Sequence, residues 1–303
     1  MHGLPDGFTR QISATFGAAG VAWLARLPAT IADCERRWGA TFLPPFDNLT
    51  FSYVAPVTLP GGATAVAKLG VPSSELTAAI AAHRLYDGVG CARLLDADAA
   101  SGLLLLEHLR PGTMLSALPD DEEATVIAAE TMRCLWRPVP DEHPFPTVAD
   151  WFVGLQELRD EFGGGTGPFP ARLIEEAERL AADLLPSQAT PVVLHGDLHH
   201  FNILAAERQP WLAIDPKGVV GEPAYEVGAL LRNPRGLVFE TRAPAVLARR
   251  LDLLSRELGL ERARLRAWAV AQAVLSAWWG YEDNGDFDRE WLVWAETLAA
   301  IKE

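Results

Sequence analysis

The sequence predicts an α+β protein of two lobes, a small β-rich N-terminal lobe and a larger, mainly helical C-terminal lobe. Short β-prone segments separated by turn residues dominate the chain before residue 110. From there on, apolar residues recur mostly at helical spacing. The change falls at Leu109–Gly112, so we expect lobes of residues 1–109 and 110–303. With 303 residues, of which 49% are hydrophobic, the chain can bury a sizeable core.

The N-terminal lobe is expected to contain a β-hairpin, one helix and two further strands. The turn sequence Leu59–Gly62 separates the two hairpin strands. Ser73 and Ser74 can cap a helix over residues 75–86. The last strand is a continuous apolar run, which is typical of a strand buried on both faces. The four strands are expected at residues 51–57, 64–69, 92–95 and 103–107.

The C-terminal lobe is expected to be helical apart from two short strands. Apolar residues at helical spacing predict helices at residues 121–136, 151–162, 173–184 and through the remainder of the chain after residue 214. Residues 192–194 and 211–214 are β-prone and bracket a polar loop. We expect Trp291 and Trp294, which share one face of the last helix, to belong to the core.

The charge and cysteine content narrow the class of partner. A formal net charge of −14 argues against nucleic acid and anionic membrane surfaces as partners, and it favours a cationic small molecule. The three cysteines are scattered without the spacing of a zinc site or a disulfide framework, which fits a reducing compartment. We see no targeting signal and no apolar run of membrane-spanning length, so a cytoplasmic protein is expected.

The most informative segment is residues 193–204 (VLHGDLHHFNIL), followed by WLAID at residues 211–215. Asp197 follows one strand, Asn202 comes five positions later, and Asp215 follows the next strand. Phosphoryl transfer uses a carboxylate that accepts or orients the proton of the attacking hydroxyl, and oxygen ligands that hold magnesium against the phosphates. These residue types at this spacing therefore favour phosphoryl transfer over an ordinary polar loop.

This segment resembles a known family of kinases. HGDLHHFN followed by IDPKG is similar to the catalytic and metal-binding segments of the aminoglycoside phosphotransferase family, which has the protein-kinase-like fold. Residues 211–234 (WLAIDPKGVVGEPAYEVGALLRNP) resemble the branch of streptomycin 6-kinase and hydroxyurea phosphotransferase. The resemblance covers about residues 51–279 and implies an enzyme that uses ATP and magnesium. It implies Asp197 as the catalytic carboxylate and Asn202 and Asp215 as the magnesium ligands.

The resemblance also assigns supporting and nucleotide-binding residues. Glu226 is expected to brace the catalytic loop, where the family more often has Asp, and His195 to stabilise the loop by hydrogen bonds. Lys68, in AVAKLG, matches the strand lysine that contacts ATP phosphates. Glu75 is its candidate ion-pair partner, with a solvated helix-start glutamate as the alternative. Backbone groups of the hinge, at Glu107, His108 and Leu109, are expected to meet adenine. No GxGxxG sequence precedes the lysine.

Acidic and aromatic residues gather where the family binds its substrate. Carboxylates bind guanidinium groups bidentately, and aromatic rings can wall a cationic sugar. The alternative is a solvated loop between helices. The residues expected to bind substrate are Glu222, Trp279, Glu282 and Asp283.

Three functions remain open from the sequence. The favoured one is a kinase of an aminoglycoside, with streptomycin first. The second is a kinase of another small hydroxylated compound, such as hydroxyurea or a sugar. The third is a catalytically dead nucleotide-binding domain, against which the intact Lys68, Asp197, Asn202 and Asp215 argue. A metal site built from His195, His199 and His200 is disfavoured, because the other histidines do not supply the further motifs that such a site needs.

Overall fold

The structure, a computed structural model, describes residues 4–302 apart from the side chain of Asn284. It has a lobe built on one five-stranded sheet and a larger helical lobe that carries two three-stranded sheets. The helices are α1 (Asp6–Trp38), α2 (Ser74–Tyr86), α3 (Asp121–Leu135), α4 (Val148–Glu161), α5 (Ala171–Leu184), α6 (Val227–Leu231), α7 (Ala243–Leu258), α8 (Arg262–Asn284) and α9 (Glu290–Ala300).

The strands are β1 (Thr41–Phe42), β2 (Ser52–Thr58), β3 (Thr64–Gly70), β4 (Leu94–Asp98), β5 (Leu103–Glu107), β6 (Pro111–Met114), β7 (Arg137–Pro138), β8 (Val192–Leu194), β9 (Ile203–Ala206), β10 (Trp211–Ala213) and β11 (Val219–Gly221). Strands β2, β3, β5, β8 and β10 lie where the sequence predicts strands, whereas β4 begins two residues later than predicted, and β1, β6, β7, β9 and β11 were not predicted. The strand orders are β1-β2-β3-β5-β4, β10-β9-β6 and β11-β8-β7. The division of the lobes at residue 109 remains a prediction.

The N-terminal sheet is covered by helices on both faces. Residues along β2 and β3 alternate in burial, as the period of two in a strand requires. Helix α2 covers one face, where Leu76 and Ile80 pack against Leu104 and Leu106 of β5. As predicted, Ser73 caps this helix by accepting a hydrogen bond from the backbone N–H of Leu76.

Helix α1 covers the opposite face of the sheet, and the sequence did not reveal it. Phe8 and Ile12 belong to the same apolar cluster as Trp23 and Leu27. Between these two pairs, Gly17 has the non-helical dihedrals φ 53° and ψ −133°, and this kink interrupts the phase of the apolar stripe. A single 3.6-residue period therefore does not run through the 33-residue helix.

The core of the C-terminal lobe surrounds α8, which contacts helices α4 to α7 and α9. Trp268 of α8 is fully buried. Of the two tryptophans expected in the core, Trp294 of α9 is fully buried and Trp291 is partly buried against the same core. Within residues 4–302, no helix is long and apolar enough to cross a membrane. The catalytic segment runs from the end of β8 through the β9–β10 hairpin to Asp215, two residues after β10.

Candidate active site

The loop after β8 is held in place by the ring of His195. Its Nε2 donates to the carbonyl oxygen of Ile214 at 2.8 Å, and its Nδ1 accepts from the backbone N–H of Asp197 at 3.2 Å. This pattern requires the neutral ring, and burial lowers the pKa of His195 to about 4. His195 therefore joins the loop to the strand segment that precedes Asp215.

The carboxylate of Glu226 also fixes the loop after β8, through hydrogen bonds to its backbone. Its two oxygens accept hydrogen bonds from the backbone N–H groups of His195, at 2.7 Å, and Gly196, at 2.9 Å. The side chain is 1% exposed. Burial raises the pKa of Glu226 to about 7, the two backbone donors oppose this rise, and the nearby charge of Asp197 adds to it.

The Asp197 carboxylate is half-buried, and each of its oxygens faces a different basic side chain. Oδ1 lies 4.0 Å from Nη2 of Arg232, and Oδ2 lies 3.7 Å from Nε2 of His199. Burial lowers the pKa of His199. These separations are too long for direct hydrogen bonds. Sequence reasoning gave Arg232 no role, although it lies in the quoted LLRNP segment, because its partners come from distant elements.

Asn202 and Asp215 lie side by side at the open end of the β9–β10 hairpin. Ile203 of β9 pairs with Ala213 of β10, and the backbone N–H of Ile214 donates to the carbonyl oxygen of Asn202 at 2.9 Å. Asp215 has a φ of 60°, a left-handed conformation that Asp adopts more readily than most residues.

This pair fits a magnesium ion. The Asn202 amide nitrogen donates to the carbonyl oxygen of Asp197 at 3.0 Å, which leaves its Oδ1 as an acceptor. Burial opposes ionisation of Asp215, but Lys68 and Lys217 outweigh it and hold the pKa of that carboxyl well below its usual range. Magnesium typically takes one or two carboxylate or amide oxygens together with phosphate oxygens and water. Among the described residues, no group of three or more His, Cys, Asp or Glu side chains could hold a metal ion.

Two ion pairs join the lobes across the cleft, and they differ from the expected pairing. Lys68 of β3 pairs with Asp215. Glu75 of α2 pairs instead with Lys217, at 2.5 Å, so the expectation that it is the partner of Lys68 is wrong in this structure. Burial opposes protonation of Lys217, but the charges of Glu75, Asp215 and Asp197 raise its pKa. The physical reason is position, because Glu75 lies in the first turn of α2 and faces the residue two places after Asp215.

At the hinge, the side chain of Glu107 is held by Arg208, with Nε–Oε1 at 3.0 Å and Nη2–Oε2 at 2.9 Å. It also accepts from the backbone N–H of Arg93. The side chain is thus engaged in structure, which leaves only main-chain groups for a ligand. A cavity of about 160 Å³ lies beside the hinge, lined by Thr64, Glu107, His108, Leu109, Arg110, Ala206, Glu207 and Arg208.

Glu282 and Asp283, near the end of α8, each lie within electrostatic reach of other carboxylates. Burial, the charge of Glu157 and the charge of Asp283 raise the pKa of Glu282. Burial and the charge of Glu75 raise the pKa of Asp283, while a hydrogen bond from Thr15 of α1 and the charge of Lys217 oppose the rise. Lys217, the basic residue whose charge acts on Asp283, forms its ion pair with Glu75. Within the described part of the chain, no cation is among the causes of the raised pKa of Glu282. Carboxylates whose pKa is raised by burial and by neighbouring negative charge are candidates for a site that takes a cationic ligand.

Two tryptophans link this acidic group to the catalytic loop. The ring of Trp279 meets that of Trp151 edge to face, with centroids 5.5 Å apart. A Cβ atom on Gly196 would lie 2.8 Å from the Trp151 ring. Gly196 also has a φ of 86°, so both sterics and backbone conformation favour glycine there. Trp151, on α4, was not predicted as a site residue.

Glu222 lies outside this arrangement, and its prediction as a substrate carboxylate is wrong. The side chain is 2% exposed. It pairs with Arg264 at 2.6 Å and accepts a hydrogen bond from the indole N–H of Trp268. A buried, paired carboxylate stabilises the packing of α8 against the segment after β11, and it presents no free oxygen to a cleft.

Three comparisons bear on this geometry. Residues 45–284 match the family model described as aminoglycoside/hydroxyurea antibiotic resistance kinase. Streptomycin 6-kinase of Streptomyces glaucescens is 34% identical over 284 residues, covering 93% of this chain and 92% of the relative. Hydroxyurea phosphotransferase of Kitasatospora aureofaciens is 36% identical over 278 residues, covering 88% and 77%.

The fold is shared with more distant kinases. Choline kinase LicA from Streptococcus pneumoniae superposes with a TM-score of 0.64 at 12% identity, covering 91% of this chain and 99% of that one. At this identity the likeness concerns the fold alone. It confirms the predicted kinase-like architecture of a sheet lobe and a helical lobe.

Proposed function

Because the chain belongs to the aminoglycoside/hydroxyurea antibiotic resistance kinase family, we propose that it transfers the terminal phosphoryl group of ATP to a hydroxyl of an aminoglycoside, with streptomycin favoured. The observation that carries this proposal is the convergence of Lys68 from one lobe with Asp215, beside Asn202 and the Asp197 loop of the other. One cation and three oxygen-bearing side chains of this kind are what phosphoryl transfer requires.

Each of these residues has a definable task. Asp197 orients the substrate hydroxyl and takes its proton as the new O–P bond forms and the bond to the departing ADP breaks. Asn202 and Asp215 would hold magnesium, which supplies positive charge at the phosphate oxygens. Lys68 is paired with Asp215 in this structure. When ATP is bound, its ammonium group would contact phosphate oxygens instead of Asp215. Backbone groups at Glu107 and Leu109 would bind adenine.

The choice of a cationic substrate rests on the acidic group at the end of α8. Glu282 and Asp283, with Glu157 nearby, present a concentration of negative charge. Trp151 and Trp279 supply aromatic surface between that group and the catalytic loop. Guanidinium groups such as those of streptomycin are matched by carboxylates in both charge and geometry. Hydroxyurea, the second candidate from the family, is small and uncharged and would gain little from such a group.

The proposal is tested by coupled ADP release with streptomycin, other aminoglycosides, hydroxyurea and simple sugars, each with and without magnesium. We expect magnesium-dependent turnover that is fastest with streptomycin. The double variant Glu282→Gln/Asp283→Asn should raise the streptomycin KM roughly ten- to a hundredfold and leave the ATP KM unchanged, because a charge-assisted hydrogen bond contributes about 1.5–3 kcal/mol.

A charge-matched control is the double variant Glu176→Gln/Asp183→Asn on α5, whose carboxylates pair with the exposed Arg179. It should leave both KM values unchanged. Equal KM values in the two double variants, or preference for an uncharged acceptor in the wild type, would reject the cationic substrate.

A further inference from the structure

Arg232 lies behind the catalytic loop, and we propose that it is a positioning residue that fixes the carboxylate of Asp197 for phosphoryl transfer. This inference rests on the proposed function, because it assigns Asp197 its catalytic task. Arg232 follows the last residue of α6 and is its C-cap. It is 6% exposed, and its Nη2 lies 4.0 Å from Oδ1 of Asp197.

The guanidinium is itself held firmly by neutral groups. Its Nη1 donates to Oε1 of Gln272 at 2.5 Å, and its Cζ lies 5.7 Å from the ring centroid of Trp291. Within residues 4–302, Asp197 is the acidic residue found at ion-pair distance from Arg232. A buried cation is costly unless it is compensated, so the charge of Arg232 is directed at the catalytic carboxylate.

Other buried or half-buried arginines of this lobe are paired differently. Arg250 contacts Asp121 at 2.5 Å, and Arg264 contacts Glu222 at 2.6 Å, both direct hydrogen-bonded pairs. Arg232 is set back from its carboxylate by 4.0 Å, beyond hydrogen-bond distance. That spacing leaves the lone pairs of Asp197 available to a substrate hydroxyl while the guanidinium charge still acts on the carboxylate.

Arg232 and His199 act on opposite oxygens of the Asp197 carboxylate. Because a guanidinium stays protonated in proteins, Arg232 supplies a permanent positive charge at Oδ1 of Asp197. A carboxylate that faces a cation with one oxygen has a preferred rotation about its Cβ–Cγ bond. The oxygen that receives the substrate proton is thereby kept at a defined angle, which is the kind of precision that catalytic groups require.

The test compares Arg232→Met, Arg232→Lys and the control Arg264→Met in the full chain, with steady-state kinetics, nucleotide binding by calorimetry and thermal melting. Removing Arg232 should lower kcat about ten- to a hundredfold, equivalent to about 1.4–2.7 kcal/mol in activation free energy. The Kd for ATP with magnesium should stay within about twofold, and Arg232→Lys should recover part of kcat because it restores the charge. Arg264→Met strands the buried Glu222, so it should lower the Tm while kcat per folded molecule is kept.

The inference fails if Arg232→Met retains more than about a third of wild-type kcat, or if it raises a substrate KM at unchanged kcat, which would make Arg232 a binding residue. It also fails if Arg232→Met and Arg264→Met lose kcat and Tm in the same proportion, because Arg232 would then be merely structural. A wild-type enzyme with no aminoglycoside turnover rejects the proposed function instead, and the Arg232 variants are then measured with the acceptor that the panel identifies.

Discussion

Replacing Glu226 by Gln should flatten the pH dependence of stability. Burial raises the pKa of this carboxyl from 4.5 to about 7. Between these values the folded protein binds more protons than the unfolded chain, so the free energy of unfolding falls as the pH rises through the window. One pKa unit corresponds to about 1.4 kcal/mol, so the raised pKa of Glu226 corresponds to a loss of about 3 kcal/mol in the free energy of unfolding. Most of this loss should occur between pH 5 and pH 8.

Urea unfolding of the wild type and Glu226→Gln at pH 5, 6, 7 and 8 measures this effect. The variant carries a roughly constant penalty, because its amide NH₂ meets a backbone N–H that the carboxylate accepted from. The wild type should be the more stable protein at pH 5. Its advantage in free energy of unfolding over Glu226→Gln should shrink, or change sign, by about 2–3 kcal/mol between pH 5 and pH 8.

The wild type must be compared with Glu226→Gln because the buried histidines change the free energy of unfolding with pH in the opposite direction to Glu226. Burial lowers the pKa of His83 and His195 to about 4 and that of His200 to about 3. Their contribution to stability is present above pH 6.5 and is lost as the pH falls toward 4, and it is shared by both proteins. Parallel wild-type and variant curves would show that Glu226 does not titrate in this range and would refute the reasoning.

Two further outcomes are expected. Asp197→Asn should reduce turnover roughly 10²–10⁴-fold while calorimetry shows unchanged nucleotide binding, and retention of more than about a tenth of wild-type turnover would remove Asp197 from the catalytic role. Thr15→Val deletes the hydroxyl that bonds to Asp283 and should raise the streptomycin KM about two- to tenfold. The control Ser13→Ala removes a hydroxyl that bonds within α1 and should leave that KM unchanged, so equal effects of the two would exclude a role for Thr15.

The sequence predicted the two-lobed fold and the kinase class, both of which the comparisons confirm. The hairpin of β2 and β3 was predictable because its alternation and its turn are local features. The catalytic segment was predictable for the same reason, since Asp197, Asn202 and Asp215 lie within 19 consecutive residues. Their catalytic and metal-binding roles stay predictions.

What the sequence missed depends on contacts between distant parts of the chain. Lys217 and Glu75 are 142 positions apart, and no local pattern indicates that they pair. The burial of Glu222 depends on Arg264, 42 positions away, so an acidic residue beside the motif looked available to substrate. Arg232 was overlooked because its importance comes from the 4.0 Å approach to Asp197, which only the packing of α6 under the loop creates.

The position of α1 has a consequence for biosynthesis. Its apolar side chains Phe8, Ile12, Trp23 and Leu27 are covered by Tyr53, Leu69 and Leu103. A ribosome adds about 5–20 residues per second, so several seconds separate translation of the helix from that of the last strand that buries it. Throughout that interval the side chains of Phe8 and Trp23 lack the strands that cover them in the folded protein. We therefore expect the need for chaperones during synthesis to depend on the order of these segments along the chain, and a circular permutant in which α1 follows β5 should shorten the exposure.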